Sequence, residues 1–367
     1  MPPVIAAVMT AFGRPIGVQE FPRPERLAQG EVLVEVTLAG MCGTDVHLHK
    51  GQLAVPLPLI LGHETVGRVA STGGEVRDWF GVPLAIGDRV AWTVGMPCGV
   101  CRYCRLHRLP SRCVNRQSYG VSIACDRPPH LFGGYAQYHV LRPGTSIFRL
   151  PDDLADESVI GAGCALVTAV HGFERAPLRW GESVVVQGSG PVGLAAVAVA
   201  KEAGARPLIV IGGPEARLER CRRFGADLTI DIASVPDLIE RRRRVLEQTD
   251  GLGADCVVEC VGLPTAVAEG WELCRDGGRY LVLGQYCDAG PTPLNPHLLV
   301  RKELTVFGSY GSEPPHWAAA LELLRTRRER YPFHEVITHR FGLTEVNDAL
   351  AAVARWETGK AIIEPWR

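Results

Sequence analysis

Residues 183–205 read SVVVQGSGPVGLAAVAVAKEAGA, and this stretch limits the possible fold more than any other. Val184–Val186 is a short β-branched run suited to a buried strand. Gly188, Gly190 and Gly193 then form G-x-G-x-x-G, with Pro191 and Val192 between the last two, and a helical run of small apolar residues begins at Leu194. The first glycine permits a tight turn and the second lets the backbone approach a pyrophosphate. The third lets helix and strand pack closely, while the helix N-terminus attracts the anion. The segments that follow repeat the theme. RPLIVIGG predicts a second strand, PEARLERCRRFGAD a helix ending at Gly225, and DCVVECVG and GRYLVLGQ two more strands. Repeated β-α-β units predict an α/β, doubly wound parallel sheet of Rossmann type that binds a dinucleotide. The second strand ends in Gly212-Gly213-Pro214, without the acid that usually takes the ribose hydroxyls of NAD. Arg217 and Arg220, one turn into the next helix, can reach the adenosine ribose or lie as a solvated surface. NAD is the expected cofactor, with NADP left open.

The first 150 residues are different. EVLVEVTLAG, TVGRVAST and GDRVAWTV alternate or run apolar between glycine-containing breaks, which predicts a mostly-β domain. MPPVIAAVMTAFGRP lacks a basic start before its short apolar run, so it predicts a first strand and not a signal peptide. Asp152 or Asp153 is placed to cap the helix that leads into the second region. The segment from about Leu304 returns to mixed elements and closes with KAIIEP. The basic run Arg241–Arg244 predicts the solvated face of a helix. A net charge of −1 supplies no field toward nucleic acid or acidic lipid. The most apolar long stretch, 184–200, is broken by glycines, Pro191 and polar residues, so no membrane span is expected. The default compartment is the cytoplasm, where twelve cysteines suggest metal ligation or ordinary burial before disulfides.

Cys98, Cys101, Cys104 and Cys113 fall within CGVCRYCRLHRLPSRC. A disulfide staple, a nucleic-acid-binding zinc ribbon, a catalytic metal site and a brace for chemistry done elsewhere all fit that stretch taken alone. Its C-x2-C-x2-C spacing lets a tight loop aim three thiolates at one centre. A fourth from Cys113 closes a tetrahedron with no open position, which makes a brace. Arg102, Arg105, Arg108 and Arg112 are then counter-charges to a thiolate-rich site. Elsewhere, Cys42 in GMCGTDVHLHKG, His63 in LGHETVG and Cys164 in GAGCALVTAV supply two thiolates and an imidazole. That is a suitable set for a catalytic zinc with one position open. Trp92 and Val94 are candidates for the substrate pocket or for plain core. His49, His107, His130 and His139 match no catalytic pattern, and neither do Cys125, Cys221, Cys256, Cys260, Cys274 and Cys287.

In this order GMCGTDVHLHKG, GHETVG, GDRV, the four-cysteine cluster, GSGPVG, RKELTVFGS and GKAIIEP resemble the zinc-dependent medium-chain alcohol dehydrogenase family over essentially the whole chain. The resemblance implies a GroES-like, mostly-β catalytic domain from both chain ends (1–155 and 305–367) with a Rossmann domain (156–304) inserted between them. It implies two zinc ions per chain. Cys42, His63 and Cys164 would hold the catalytic one and Cys98, Cys101, Cys104 and Cys113 the structural one. Glu64 resembles the carboxylate beside the metal, Asp45 the acid that orients His63, and Thr44 and His47 the proton relay to solvent. The implied reaction is hydride transfer between a secondary or cyclic alcohol, or its ketone, and NAD(P), in a homodimer or homotetramer. One departure stands out: eight residues separate Cys104 from Cys113 where the family usually has seven. This leaves His107 as a remote alternative fourth ligand.

Overall fold

The computed structural model describes residues 2–367. The chain divides into two units. One runs to Gly163 and takes up Ser312–Arg328 and Pro332–Arg367; the other is Cys164–Gly311 with Glu329–Tyr331.

The strand Val32–Met41 organises the first unit. Eight of its ten residues are buried, which for a strand means neighbours along both edges and cover on both faces. Glu64–Thr72 pairs antiparallel along one edge, setting Gly40 opposite Glu64. The other edge is shared. Tyr138–Leu141 takes Val32 to Glu35, and Lys360–Ile363 takes Ala39 to Met41. Arg89–Trp92 and Ile147–Arg149 extend the sheet on one side and Ile337–Phe341 on the other, giving seven strands. A strand from the far end of the chain therefore lies next but one to Glu64. Val4–Met9 forms the expected first strand, in a separate three-stranded sheet with Gly17–Phe21 and Leu59–Ile60. Leu33, Met41, Leu48, Phe132 and Tyr135 lie in one buried apolar cluster, at about 1.5–3 kcal/mol for each large apolar side chain.

The helix Asp156–Arg175 begins later than a cap at Asp152 or Asp153 would place it. A turn intervenes, closed by the Leu154 N–H donating to the Pro151 carbonyl (3.1 Å), and the Asp153 carboxylate instead accepts from Arg328 (3.1 Å). Asp156 in the first helical turn accepts from Thr37 Oγ1 (2.8 Å) and Arg89 Nε (3.0 Å). The helix is interrupted at Gly163, whose φ of 50° and ψ of −151° are open mainly to glycine.

In the second unit six strands form one wholly parallel sheet. Its order is Leu228–Asp231, Leu208–Gly212, Val184–Gln187, Ala254–Glu259, Cys274–Val282 and Thr305–Gly308. Counted along the chain this is 3-2-1-4-5-6, the doubly wound arrangement, and the direction reverses beside Val184–Gln187. All four residues of that central strand are buried. The outermost strand, Thr305–Gly308, lies beyond residue 304, where the sequence pattern returns to mixed elements. Four residues of TVFG carry no signal for which sheet they join, and pairing with Cys274–Val282 decides it. Arg241 also departs from the solvated face expected for its run. It is 7% exposed and its Nε donates to Glu269 at 2.7 Å, because residue 241 of the helix Leu238–Glu247 turns inward while Arg243 turns outward to Glu240. No helix among the described residues is long and apolar enough to cross a membrane.

Candidate metal centres and dinucleotide turn

Cys42 is the N-cap of the helix Gly43–His49, and this cap builds much of the first site. Its Sγ accepts from the Thr44 N–H (3.3 Å), and its own N–H donates to Asp45 Oδ2 (2.9 Å). This reciprocal pair satisfies backbone donors at a helix start while fixing a thiol and a carboxylate three residues apart. Cys42 Sγ lies 3.3 Å from His63 Nε2. Asp45 Oδ1 lies 3.4 Å from His63 Nδ1, and neither of these buried atoms has a hydrogen-bond partner of good geometry. Burial lowers the affinity of the His63 ring for a proton. Asp45 and then Cys42 overcome this, and its pKa stands well above the usual value. With Asp45 facing Nδ1, the ring presents Nε2 to the thiol side, the arrangement a metal-ligating histidine needs.

Glu64 opens the strand Glu64–Thr72, and Cys164 follows the Gly163 break. The ligand atoms of Cys42, His63, Glu64 and Cys164 all lie within 4.8 Å of one another. Two thiols, an imidazole whose second nitrogen faces a carboxylate, and a buried acid form a donor set that fits zinc. Thr44 and His47 lie three residues apart on the helix, and so on one side of it. His47 Nδ1 is 2.5 Å from Gln52 Oε1. Trp92 is 4% exposed and packs edge-on against His139, whose other side meets Tyr119. Its environment is core. Val94 is half-buried in the loop that follows.

Cys98, Cys101, Cys104 and Cys113 form the other metal-ligand group found among the described residues, again within 4.8 Å. All four are free thiols, which removes the disulfide reading. Cys101 Sγ is 3.5 Å from Cys104 Sγ and 3.8 Å from Cys113 Sγ, and the Cys98 N–H donates to Cys113 Sγ at 3.2 Å. His107 is exposed, its ring tilted against Tyr103 with centroids 5.5 Å apart, and it is not part of this group. The chain reaches Cys113 through Arg108 in the left-handed region and the single turn Pro110–Arg112, which take up the long spacing. Backbone N–H groups of Val100 and Cys101 lower the Cys98 thiol to about 6. Burial and the neighbouring thiols push Cys104 up to about 12. A dication at the centre would favour the thiolate form of all four. Arg105 donates to the Gly99 carbonyl (3.3 Å) and Arg116 to the Ser111 carbonyl (3.0 Å), so these arginines brace the loop backbone.

At the glycine turn, Gly188 takes φ 103° and Gly190 caps the helix Pro191–Glu202 with no side-chain hydrogen bond. A Cβ on Gly190 would meet nothing within 4 Å, whereas one on Gly193 would fall 1.9 Å from the Gly188 carbonyl oxygen. The second glycine therefore leaves open space before the helix N-terminus, and the third permits contact between backbones. Ser189, which the sequence pattern passes over as a variable position, links the turn to the next strand. Its Oγ donates to the Gly213 carbonyl (2.9 Å) and accepts from the Gly213 N–H (3.0 Å). A Cβ on Gly212 would lie 2.7 Å from that oxygen, a physical reason for glycine where an acid is usual. Half-buried Arg217 has its pKa lowered by burial and by nearby Arg220. Asp231 Oδ1 lies 3.3 Å from where a Gly213 Cβ would sit. This acid also went unnoticed in the sequence, since only strand order brings residue 231 beside 213.

A buried thiol–imidazole–carboxylate cluster and a doubly wound sheet opening on a glycine turn define a metal-binding, dinucleotide-type dehydrogenase. Comparison with known proteins agrees. The alcohol dehydrogenase GroES-like domain matches residues 28–152, and the zinc-binding dehydrogenase domain matches residues 191–326. The 5-exo-hydroxycamphor dehydrogenase of Pseudomonas putida is 38% identical over 343 residues, 92% of each chain. The crystal structure of an alcohol dehydrogenase from Thermotoga maritima superposes with a TM-score of 0.95 at 36% identity, covering 99% of this chain and 100% of that one. An NADP-bound structure described as a zinc-binding dehydrogenase, from Sinorhizobium meliloti 1021, gives a TM-score of 0.87 at 27% identity with full coverage of both chains. The chain belongs to the zinc-binding alcohol dehydrogenase family, the oxidoreductases that act on CH–OH groups.

Proposed function

We propose that this protein oxidises a secondary or cyclic alcohol, and reduces the corresponding ketone, with NAD as hydride carrier and zinc at the Cys42 site. The observation that carries this reading is the convergence of Cys42, His63, Glu64 and Cys164 with Asp45 behind the imidazole. When bound, the metal supplies Lewis acidity toward the alcohol oxygen and the dinucleotide supplies the hydride acceptor. Cys42 Sγ, His63 Nε2 and Cys164 Sγ hold the metal, and Asp45 keeps the His63 proton on Nδ1. Thr44 Oγ1 would accept the hydroxyl proton as it hands on its own, and His47, with Nδ1 facing Gln52, would take a proton at Nε2 and release it to solvent. Cys98, Cys101, Cys104 and Cys113 hold a second zinc that closes their loop. We assign the catalytic role to the unit that runs to Gly163 and takes up 312–328 and 332–367, and dinucleotide binding to the unit of 164–311. Gly188, Gly190, Pro191, Val192 and Gly193 lie at the pyrophosphate and Gly212 and Arg217 near the adenosine ribose. The cyclic substrate class draws support from the hydroxycamphor dehydrogenase relative. A homodimer or homotetramer in the cytoplasm completes the reading. The outer strand Thr305–Gly308, with Val306 43% exposed, is a natural edge for a second copy.

NADP is a second reading. Glycine at 212 and the neighbouring Arg217 and Arg220 favour it, together with the NADP-bound relative. The deciding experiment is a turnover screen over primary, secondary, cyclic and polyol alcohols, run with both dinucleotides. Turnover confined to primary alcohols rejects the substrate class, and a strong preference for NADP rejects the cofactor assignment.

Gly193→Ala probes the turn itself. A methyl 1.9 Å from the Gly188 oxygen must force strand and helix apart, with an overpacking cost of about 1–3 kcal/mol. The expected result is a weaker dissociation constant for NADH in a fluorescence titration, with metal content unchanged. Wild-type NADH affinity in this variant contradicts the assignment.

A further inference from the structure

We propose that Lys360 is a positioning residue that holds the Glu64 carboxylate back from the metal position, keeping one coordination place open to substrate. The proposal rests on the metal reading above. Lys360 opens the strand Lys360–Ile363, 296 residues from Glu64, and its Nζ donates to Glu64 Oε2. Both side chains are 2% exposed. A lysine is almost never buried so fully unless paired. A buried pair is nonetheless a poor way to gain stability, since apolar residues of similar size often do as well. Its worth here lies in where it holds the carboxylate.

Two glycines make that place. A Cβ on Gly40 would fall 2.4 Å from Glu64 Oε2 and 3.0 Å from Lys360 Cε. A Cβ on Gly163 would fall 2.4 Å from Glu64 Oε1 and 2.9 Å from Lys360 Nζ. Gly163 sits at φ 50° immediately before the ligand Cys164. The carboxylate is thus slotted between the central strand and the backbone that carries a metal-binding thiol, with the ammonium closing the slot. Glu64 also offers an oxygen within 4.8 Å of the other three ligand atoms, so it lies between two cations whenever the metal is bound. Two thiolates already neutralise a dication. Lys360 neutralises Glu64, and the carboxylate has no charge deficit drawing it onto the metal. Without the ammonium, the charge that holds the carboxylate back is lost, and Glu64 would fill the open place.

The test uses the cobalt- and zinc-loaded full chain. Visible absorption and the rate of metal release to a chelator are each read as the difference from Cys42→Ser, which leaves the four-cysteine metal alone. In Lys360→Met the cobalt bands are expected to shift as a carboxylate replaces solvent at the open place. Metal release should slow by roughly 10-fold and kcat fall by a similar factor, with the KM for dinucleotide unchanged. Adding Glu64→Gln to Lys360→Met should return the spectrum to that of wild type, which a merely structural pair would not do. A wild-type spectrum and release rate in Lys360→Met overturn the proposal, as does a double variant that does not revert. If Lys360→Met does not fold, Lys360→Gln keeps a donor to Glu64 without the charge, and unchanged values in it overturn the proposal equally. Absence of metal at this site in the wild-type protein would remove the metal reading itself. A loaded wild type with an unchanged Lys360→Met removes this inference alone.

Discussion

Cys42→Ser and His63→Ala are each expected to lower kcat/KM for alcohol oxidation by about three orders of magnitude while the protein stays folded. The size follows from the several kcal/mol that a Lewis acid contributes to the transition state, at about 1.4 kcal/mol per tenfold in rate. Serine is the informative replacement at position 42. The native Sγ does two jobs, accepting the Thr44 N–H at the helix start and facing His63 Nε2 at 3.3 Å. Serine keeps a cap acceptor and removes the soft thiolate, whereas alanine would also forfeit about 1 kcal/mol of capping. His63→Ala leaves the buried Asp45 without the imidazole it faces and is expected to be the less stable of the two. The measurement pairs steady-state kinetics with an unfolding curve. A folded variant that keeps wild-type turnover rejects the ligand assignment.

The second large effect concerns the four-cysteine loop. The purified protein is expected to hold two zinc ions per chain, one for each ligand group. Cys101→Ser should hold one. Cys101 stands at the centre of the group, 3.5 Å from Cys104 Sγ and 3.8 Å from Cys113 Sγ, and is the N-cap of the short helix Arg102–Arg105. This loop has little apolar material of its own. Tyr103, Leu106 and Val114 are exposed, so metal–thiolate bonds replace a core. Zinc-finger peptides owe about 10–16 kcal/mol to such bonds, and a loop tethered at both ends should lose a good part of that. The expected outcome is a Tm lower by several degrees and early exposure of the loop to protease. One zinc or none in the wild-type protein would end this account. A Cys101→Ser protein with two zinc ions and an unchanged Tm would exclude Cys101 as a ligand.

Much of this site can be read in the sequence because its parts are local. Cys42 and Asp45 form a capping pair three residues apart, and Cys98, Cys101 and Cys104 fall within seven residues of one loop. The glycine turn likewise encodes its geometry within six residues, since tight turning, backbone approach and helix contact are each met by a glycine at a fixed offset. Partners set by sheet pairing were not legible. Lys360 meets Glu64 because two strands flank Val32–Met41 near Gly40. Asp231 approaches Gly213 because its strand lies next to Leu208–Gly212. Helical rotation turns Arg241 inward to Glu269, although its four-residue run looks uniformly solvated.

By itself the sequence determined the β-α-β succession, the glycine turn and the side chains that gather in the two candidate metal sites. Those properties follow from backbone conformation and donor chemistry over a few residues. Tertiary structure alone decided which sheet took Thr305–Gly308 and that Lys360 pairs with the Glu64 carboxylate. It also decided that Trp92 belongs to the core around His139. Each of these depends on strand neighbours far apart in the chain, and a strand's own residues specify which face is buried without naming the strand that lies alongside.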